Sequence, residues 1–348
     1  MWNSGSKFAL AAGLLAASLG VAACGHGDAG STSSAGTVPA SQPSGQSSAQ
    51  SSAQQNDSAP AGKTAESAPP ASQTGGFDGA KAYEQVAKIV SYGPRPPASE
   101  GIHDVQDYIR EQLKSYGCTV DEDDFHASTP TGPVAMKNIV AKTSGTGQGI
   151  ILLLTHYDSL SSVPNFVGAE DSASSDGVML ELARLLCGKK EPNSVWIAFL
   201  DGEEAFVNWD RDEDHTYGSR ELAARMAVSG DLKRVKAVIL ADMIGQYGLA
   251  IPREGNSTKW LTDLVWKTAG RLGYGDVFVS RSETISDDHQ PFLSRDVPSV
   301  DIIDWDGFQD PKYWHTAQDT LDKVSPRSVA IVGHVILETV NELQKKFH

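Results

Sequence analysis

The sequence predicts an α/β protein, a three-layer α/β/α sandwich around a central mixed, largely parallel sheet. Three observations carry that expectation. From residue 76 onward, extended and helical stretches alternate to the C-terminus with no internal repeat. Residues 149–155 (GIILLLT) and 194–200 (SVWIAFL) are continuous apolar runs, as strands covered on both faces must be. Residues 119–127 and 134–142 are extended neighbours, the first of them polar, which suits antiparallel strands at one edge of the sheet.

The elements follow in order. Residues 79–91 and 102–116 have helical periodicity, with Val105, Tyr108, Ile109 and Leu113 on one face of the second. The edge pair comes next, then the buried strand 149–155. A helix over 172–187 turns Val178, Leu182, Leu185 and Leu186 inward. The strand 194–200 places Trp196 in the core and leads to a short helix near 219–228 and a strand at 235–241. A helix over 257–272, a strand near 277–280, a strand at 298–303 and a final helix from 325 to 346 complete the series.

The N-terminal part reads differently. Residues 1–23 have Lys7 ahead of a short apolar, small-residue run that ends Val21-Ala22-Ala23, and Cys24 follows. This layout resembles a bacterial lipoprotein signal, with Cys24 lipidated and anchoring the chain without spanning the membrane. Residues 24–75 are almost only Ser, Gln, Ala, Gly, Thr and Pro, too polar to offset their chain entropy, and read as a disordered tether. Residues 76–348 are left as a single catalytic domain. The expected location is an exported lipoprotein facing the periplasm or the cell exterior. With Cys24 set aside, Cys118 and Cys187 remain; a bridge is open to them, but two separate free thiols are the expectation. The formal net charge of −15 and the absence of any basic stripe exclude a nucleic-acid partner.

Chemistry-bearing residues gather where strands end. His156-Tyr157-Asp158 follows one strand, and Glu170-Asp171 opens a helix. Asp201-Gly202-Glu203-Glu204 follows the next strand, Asp242 ends another, and His315 lies near the C-terminus. Ligands of open α/β sheets sit at this edge. Two adjacent like charges at a strand tip need an offsetting charge, and a divalent cation provides one. One imidazole with several carboxylates suits zinc. Of two neighbours that point apart at a turn, one can ligate while the other serves as a general base.

The stretches HYDS, GAEDSASSDGVMLELARLL, FLDGEEAFVNWDRDEDHTYGSRELAARM, LADMIGQ, DDHQPFLSRDVPSV and YWHTAQDTLDKVS occur in that order. They resemble the zinc-type glutaminyl-peptide cyclotransferases of animals and bacteria, whose fold is shared with the zinc exopeptidases. The resemblance covers residues 76–348. It implies one zinc held by Asp171, Glu204 and His315, with Glu203 as the acid/base group and Asp242 and Asp287 as its hydrogen-bond partners. It implies pocket walls from Trp209, Trp314 and Ile285. Phe308 is the candidate for the family's pocket phenylalanine, in a loop 304–313 that is longer and more acidic than the family's, where Trp305 is a second candidate. The implied reaction turns an N-terminal glutamine of a peptide or protein into pyroglutamate with release of ammonia, glutamate being a poorer substrate. A monomer is the expectation.

The rival reading is a two-zinc aminopeptidase, with His156 and Asp242 as added ligands and Asp171 bridging. The long insert from Ala205 to Tyr217, the DDHQPF run and Trp314 beside His315 favour the cyclase. Intact Glu203 beside three intact ligands argues against a third reading, an inert binding lipoprotein.

Overall fold

The computed structural model describes residues 66–304 and 313–348. Cys24, the signal-like segment and the chain up to residue 65 lie outside these residues, as do Trp305 and Phe308. Helix α1 (Gly79–Val90) starts where the Asp78 carboxylate accepts the Ala80 and Lys81 amides. Helix α2 (Glu100–Ser115) starts where the Ser99 hydroxyl accepts the Ile102 amide. The strands are β1 (Thr119–Thr129), β2 (Gly132–Lys142), the short β3 (Ser144–Gly145) and β4 (Ile150–His156). Helix α3 (Ser175–Leu186), the short β5 (Lys190–Glu191), β6 (Ser194–Leu200), α4 (Tyr217–Ser229) and β7 (Val235–Asp242) follow. Then come β8 (Ile251–Glu254), α5 (Lys259–Arg271), β9 (Phe278–Glu283), α6 (Gln290–Leu293), β10 (Ser299–Ile303) and α7 (Pro326–Lys346).

The main sheet has the order β1-β2-β6-β4-β7-β10. Strands β6, β4, β7 and β10 are parallel, and β1 and β2 are antiparallel at one edge, as expected. Alternate residues of the apolar strands enter two cores. Leu153, Ile197 and Ile239 face α1, α2, α3, α5 and α7. Leu152, Ala198 and Leu240 face α4 and α6, in the same core as Trp196. The parallel register sets His156 opposite Leu200 and Ile303 opposite Asp242. The strand tips of β4, β6, β7 and β10 therefore end together at one edge. Among the described residues, no helix is long and apolar enough to cross a membrane.

Three expectations are corrected. Cys118 and Cys187 are not separate thiols but a disulfide, with Cα atoms 5.0 Å apart. Cys118 follows α2 and Cys187 follows α3, and these helices pack on the same side of the sheet, a proximity that 69 residues of separation conceal. Folded structure also begins before residue 76. Ala71–Gln73 form a 3-10 turn, and the buried Thr74 hydroxyl donates to the Phe77 carbonyl at 2.5 Å. The helix expected over 172–187 opens instead with a wide π-type turn, Ala169–Ser174, in which Asp171 leaves helical geometry.

Candidate active site

Asp171 is presented by that turn. Gly168 precedes it at φ +48°, and a Cβ there would lie 2.0 Å from the Asp171 carbonyl oxygen, so only glycine fits. The Asp319 carboxylate accepts the Glu170 and Asp171 amides at 2.8 and 3.1 Å. Arg95, fully buried, donates to the carbonyls of Tyr157, Val167 and Gly168 and fastens the approach to the turn.

Glu203 and Glu204 leave β6 through Gly202, at φ +71°. One buried carboxylate holds both backbones, since Asp158 accepts the Glu203 amide at 3.0 Å and the Glu204 amide at 3.3 Å. The side chains then diverge. Glu204 Oε2 lies 3.4 Å from His315 Nε2, while Glu203 Oε2 lies 3.7 Å from His156 Nδ1. The adjacent carboxylates thus serve two neighbouring positions, as their place at a strand tip suggests.

His156 is the hub of the second position. Its Nε2 lies 3.1 Å from Asp171 and 3.2 Å from Asp242, and its Nδ1 lies 3.4 Å from Asp158. Burial opposes its charge, but Glu203, Asp242, Asp158 and Asp171 together raise its pKa well above the ordinary value. Burial raises Glu203 well above the usual carboxylate range, helped by Glu204, Asp287 and Asp288 and opposed by His156. Burial likewise raises Asp242 and Asp287, the latter helped by Asp242 and Asp288.

The ligand atoms of Asp171, Glu204 and His315 all lie within 4.8 Å of one another. His315 Nε2 is 3.3 Å from Asp171 Oδ2, and Glu204 Oε1 is buried without a hydrogen-bond partner. Two carboxylates and an imidazole, with one carboxylate oxygen unsatisfied, fit a zinc ion. Burial opposes the His315 charge, yet Glu204 and Asp171 together bring its pKa up to about 10 in the metal-free protein. His156, Asp171 and Asp242 form a second such group that shares Asp171.

The cleft above this floor measures about 570 Å³. Trp209, Ile285 and Trp314 line it, together with Ile303 and Met243. Trp314 stacks on the imidazole of its neighbour His315 at 3.7 Å between centroids. Trp209 stacks on His215 at 4.1 Å, in a loop gathered by Asp214, which accepts the amides of Phe206, Val207 and Asn208. Ile285 is buried against Met243 and Ile303. His315 and Met243 adopt positive φ without being glycine, a strain common at functional sites.

Nine of the ten site residues singled out in the sequence therefore meet at one cleft, and Phe308 lies outside the described residues. Sequence reading assigned no role to the clamps, Asp158 under the glutamate pair, Asp319 under Asp171, and Arg95. HYD and HTAQD carried the first two in plain view, but a carboxylate that binds backbone amides leaves no pattern distinct from a loop carboxylate. The buried side chains behind Asp287 were also missed.

Fold and site together define a metalloenzyme of the zinc exopeptidase type. The sequence profile of Peptidase family M28 matches residues 138–340. The glutaminyl-peptide cyclotransferase of Boiga irregularis is 31% identical over 290 residues, covering 71% of this chain and 78% of the relative. Among solved structures, the glutaminyl cyclase of an Acidobacteriales bacterium aligns with a TM-score of 0.74 at 36% identity, covering 83% of this chain and 99% of that one. A leucine aminopeptidase precursor from Bacteroides thetaiotaomicron aligns with a TM-score of 0.69 at 29% identity, covering 76% and 97%. The chain belongs to peptidase family M28 and, within it, to the glutaminyl-peptide cyclotransferases.

Proposed function

We propose that this chain converts the N-terminal glutamine of peptides and proteins to pyroglutamate and releases ammonia, with one zinc ion held by Asp171, Glu204 and His315. The observation that carries the reading is the divergence of Glu203 and Glu204. It leaves Glu203 free of the ligand trio at the floor of an apolar-walled cleft. Zinc, when bound, supplies a Lewis acid for the γ-amide oxygen of the substrate. The substrate's α-amine nitrogen forms a bond to its own γ-amide carbon, and the bond from that carbon to the amide nitrogen breaks. Glu203 accepts the proton that the amine loses and returns it to the departing nitrogen, which leaves as ammonia. A carboxyl raised by burial holds a proton closer to neutrality than an ordinary glutamate, which suits a group that must both take and give one. Asp242 and Asp287 stand around this base, and Trp209, Ile285 and Trp314 restrict the glutamine side chain to the folded geometry that cyclisation requires.

A second reading, an aminopeptidase with two metal ions, draws support from the His156, Asp171 and Asp242 group. Mass spectrometry of a Gln-Xaa-Xaa peptide incubated with the zinc-loaded protein separates the two. Loss of one ammonia with the peptide otherwise intact supports cyclisation. Free glutamine and a shortened peptide establish the aminopeptidase. The proposed setting is an exported lipoprotein, monomeric and tethered through lipidated Cys24, on the strength of the small residues before that cysteine. A Cys24→Ala variant then leaves the membrane fraction, and retention there overturns the anchor.

A further inference from the structure

Gln246, shortly after β7, has no part in the reaction above, yet its side-chain amide joins two stretches of chain beside the cleft. Its Nε2 donates to Oδ2 of Asp304, the residue after β10, and its Oε1 accepts the hydroxyl of Tyr313 at 2.5 Å. Tyr313 stands immediately before Trp314 and His315, a pocket wall and the imidazole of the ligand trio. Asp304 and Tyr313 are the two ends of the loop 304–313, the segment that departs from the family in length and acidity. An amide suits the place between them. The carboxylate at one end needs a donor, the hydroxyl at the other needs an acceptor, and a glutamine side chain supplies both.

Each member of this bracket is anchored in its turn. The Gln246 amide donates to Glu170 at 3.0 Å, and its carbonyl accepts the Ser328 hydroxyl, at the start of α7, at 2.7 Å. Glu170 itself precedes the ligand Asp171. Asp304 is buried, its amide donates to the Met243 carbonyl at 3.3 Å, and its carboxylate also accepts the Ala250 amide at 3.1 Å. On the other side, the Tyr313 carbonyl accepts the amide and the hydroxyl of Thr316 at 3.0 and 2.7 Å, which closes a turn around Trp314 and His315. The Thr316 carbonyl accepts the amide of Asp319 at 3.0 Å, and Asp319 is the carboxylate that holds Asp171. The turn is therefore held from one end by Asp319 and from the other by Tyr313 with Gln246 behind it. Inside it His315 sits at φ +50°, a conformation that a residue other than glycine keeps only where its surroundings impose it.

We propose that Gln246 is a positioning residue. Through Asp304 and Tyr313, its side-chain amide fixes the turn that sets Trp314 against the substrate and His315 toward the metal. The inference rests on the roles proposed above for Trp314 and His315. It makes a specific demand, that Gln246 and Tyr313 act as one unit. Gln246→Met keeps the length of the side chain and loses both hydrogen bonds, whereas Tyr313→Phe removes a single hydroxyl.

The test compares Gln246→Met, Tyr313→Phe and the double variant with wild type in the full-length protein. Zinc affinity is measured by equilibrium dialysis, KM and kcat with a Gln-peptide at saturating zinc, and melting temperature alongside. Gln246→Met is expected to bind zinc about 10-fold more weakly, the scale of a lost outer-shell partner. Its KM rises by about 10-fold as Trp314 loosens, while kcat stays within about 3-fold, because Glu203 and its neighbours stand on other elements. Tyr313→Phe moves zinc affinity and KM the same way by about 3-fold, the scale of one neutral hydrogen bond. The double variant is no worse than Gln246→Met alone, as two members of one unit must be. Unchanged zinc affinity or unchanged KM in both single variants, whatever happens to melting, overturns the proposal and leaves the amide as packing. Effects that multiply in the double variant overturn it as well. If Gln246→Met does not fold, Tyr313→Phe decides alone by the same two measurements. Wild type that binds zinc and fails to cyclise the peptide sinks the functional reading instead, and the zinc affinities of the variants still decide whether the bracket positions His315.

Discussion

Two acidic groups share the floor of the cleft and balance their charge differently. The group of Asp171, Glu204 and His315 borders open space, carries an unsatisfied carboxylate oxygen and converges within 4.8 Å. Asp242 and Asp287 line the same cleft beside other carboxyls, Asp301 lies behind them, and burial raises every member. The first is arranged to be neutralised by a cation, the second by protons. On the proposed function, one strand tip supplies a metal ligand and a base at adjacent positions, and their different surroundings are what assign Glu204 to the cation and Glu203 to proton exchange.

The sharpest break comes from the metal side. His315→Ala removes the only nitrogen ligand of the trio, and we expect zinc content and cyclisation to fall together to background. Retained zinc with retained activity would place the metal elsewhere. On the proton side, Glu203→Gln keeps the shape and loses the base. We expect kcat to fall by about 10²- to 10⁴-fold with zinc content unchanged. A variant that loses zinc as well would make Glu203 a ligand and erase the distinction between the two groups.

A smaller effect probes the clamp under Asp171. Asp319→Ala frees the Glu170 and Asp171 amides, and zinc affinity should weaken by about 10- to 100-fold, the usual effect of losing an outer-shell partner. Equilibrium dialysis measures it, and wild-type affinity would show that the turn holds its shape alone. The smallest effect is a slope. Burial raises Asp176 to about 8 and Asp319 to about 7, against an unfolded value of about 4. Between those limits the native metal-free protein keeps protons that the unfolded chain has lost. Its stability therefore falls as pH rises from about 5 to about 8. Denaturant melts at the two pH values test this, and a rising stability would contradict the buried, protonated state.

Legibility in the sequence followed the physical source of each signal. The apolar runs of β4 and β6 and the polar edge strand β1 were readable because burial on one face or two leaves a period. Glu203, Glu204 and Asp242 were readable because they end or follow such runs and Asp171 because it opens a helix, and the resemblance supplied their separate roles and that of His315. Asp158, Asp319 and Arg95 were not, since their partners are backbone groups that any sequence offers. Asp301 and Glu254 lie in short strands, and only the fold shows that His289 stands between them. The Cys118–Cys187 bridge depends on two helices packing on one face of the sheet, which no local pattern encodes.

The most direct measurement is a titration of zinc into metal-free protein, with ammonia release and free amino acid from a Gln-peptide followed on the same samples. The account predicts that ammonia release rises to its plateau at one zinc per chain and that no free glutamine forms. Activity that appears only as a second zinc binds, accompanied by free glutamine, would contradict it and assign His156 and Asp242 to a second metal.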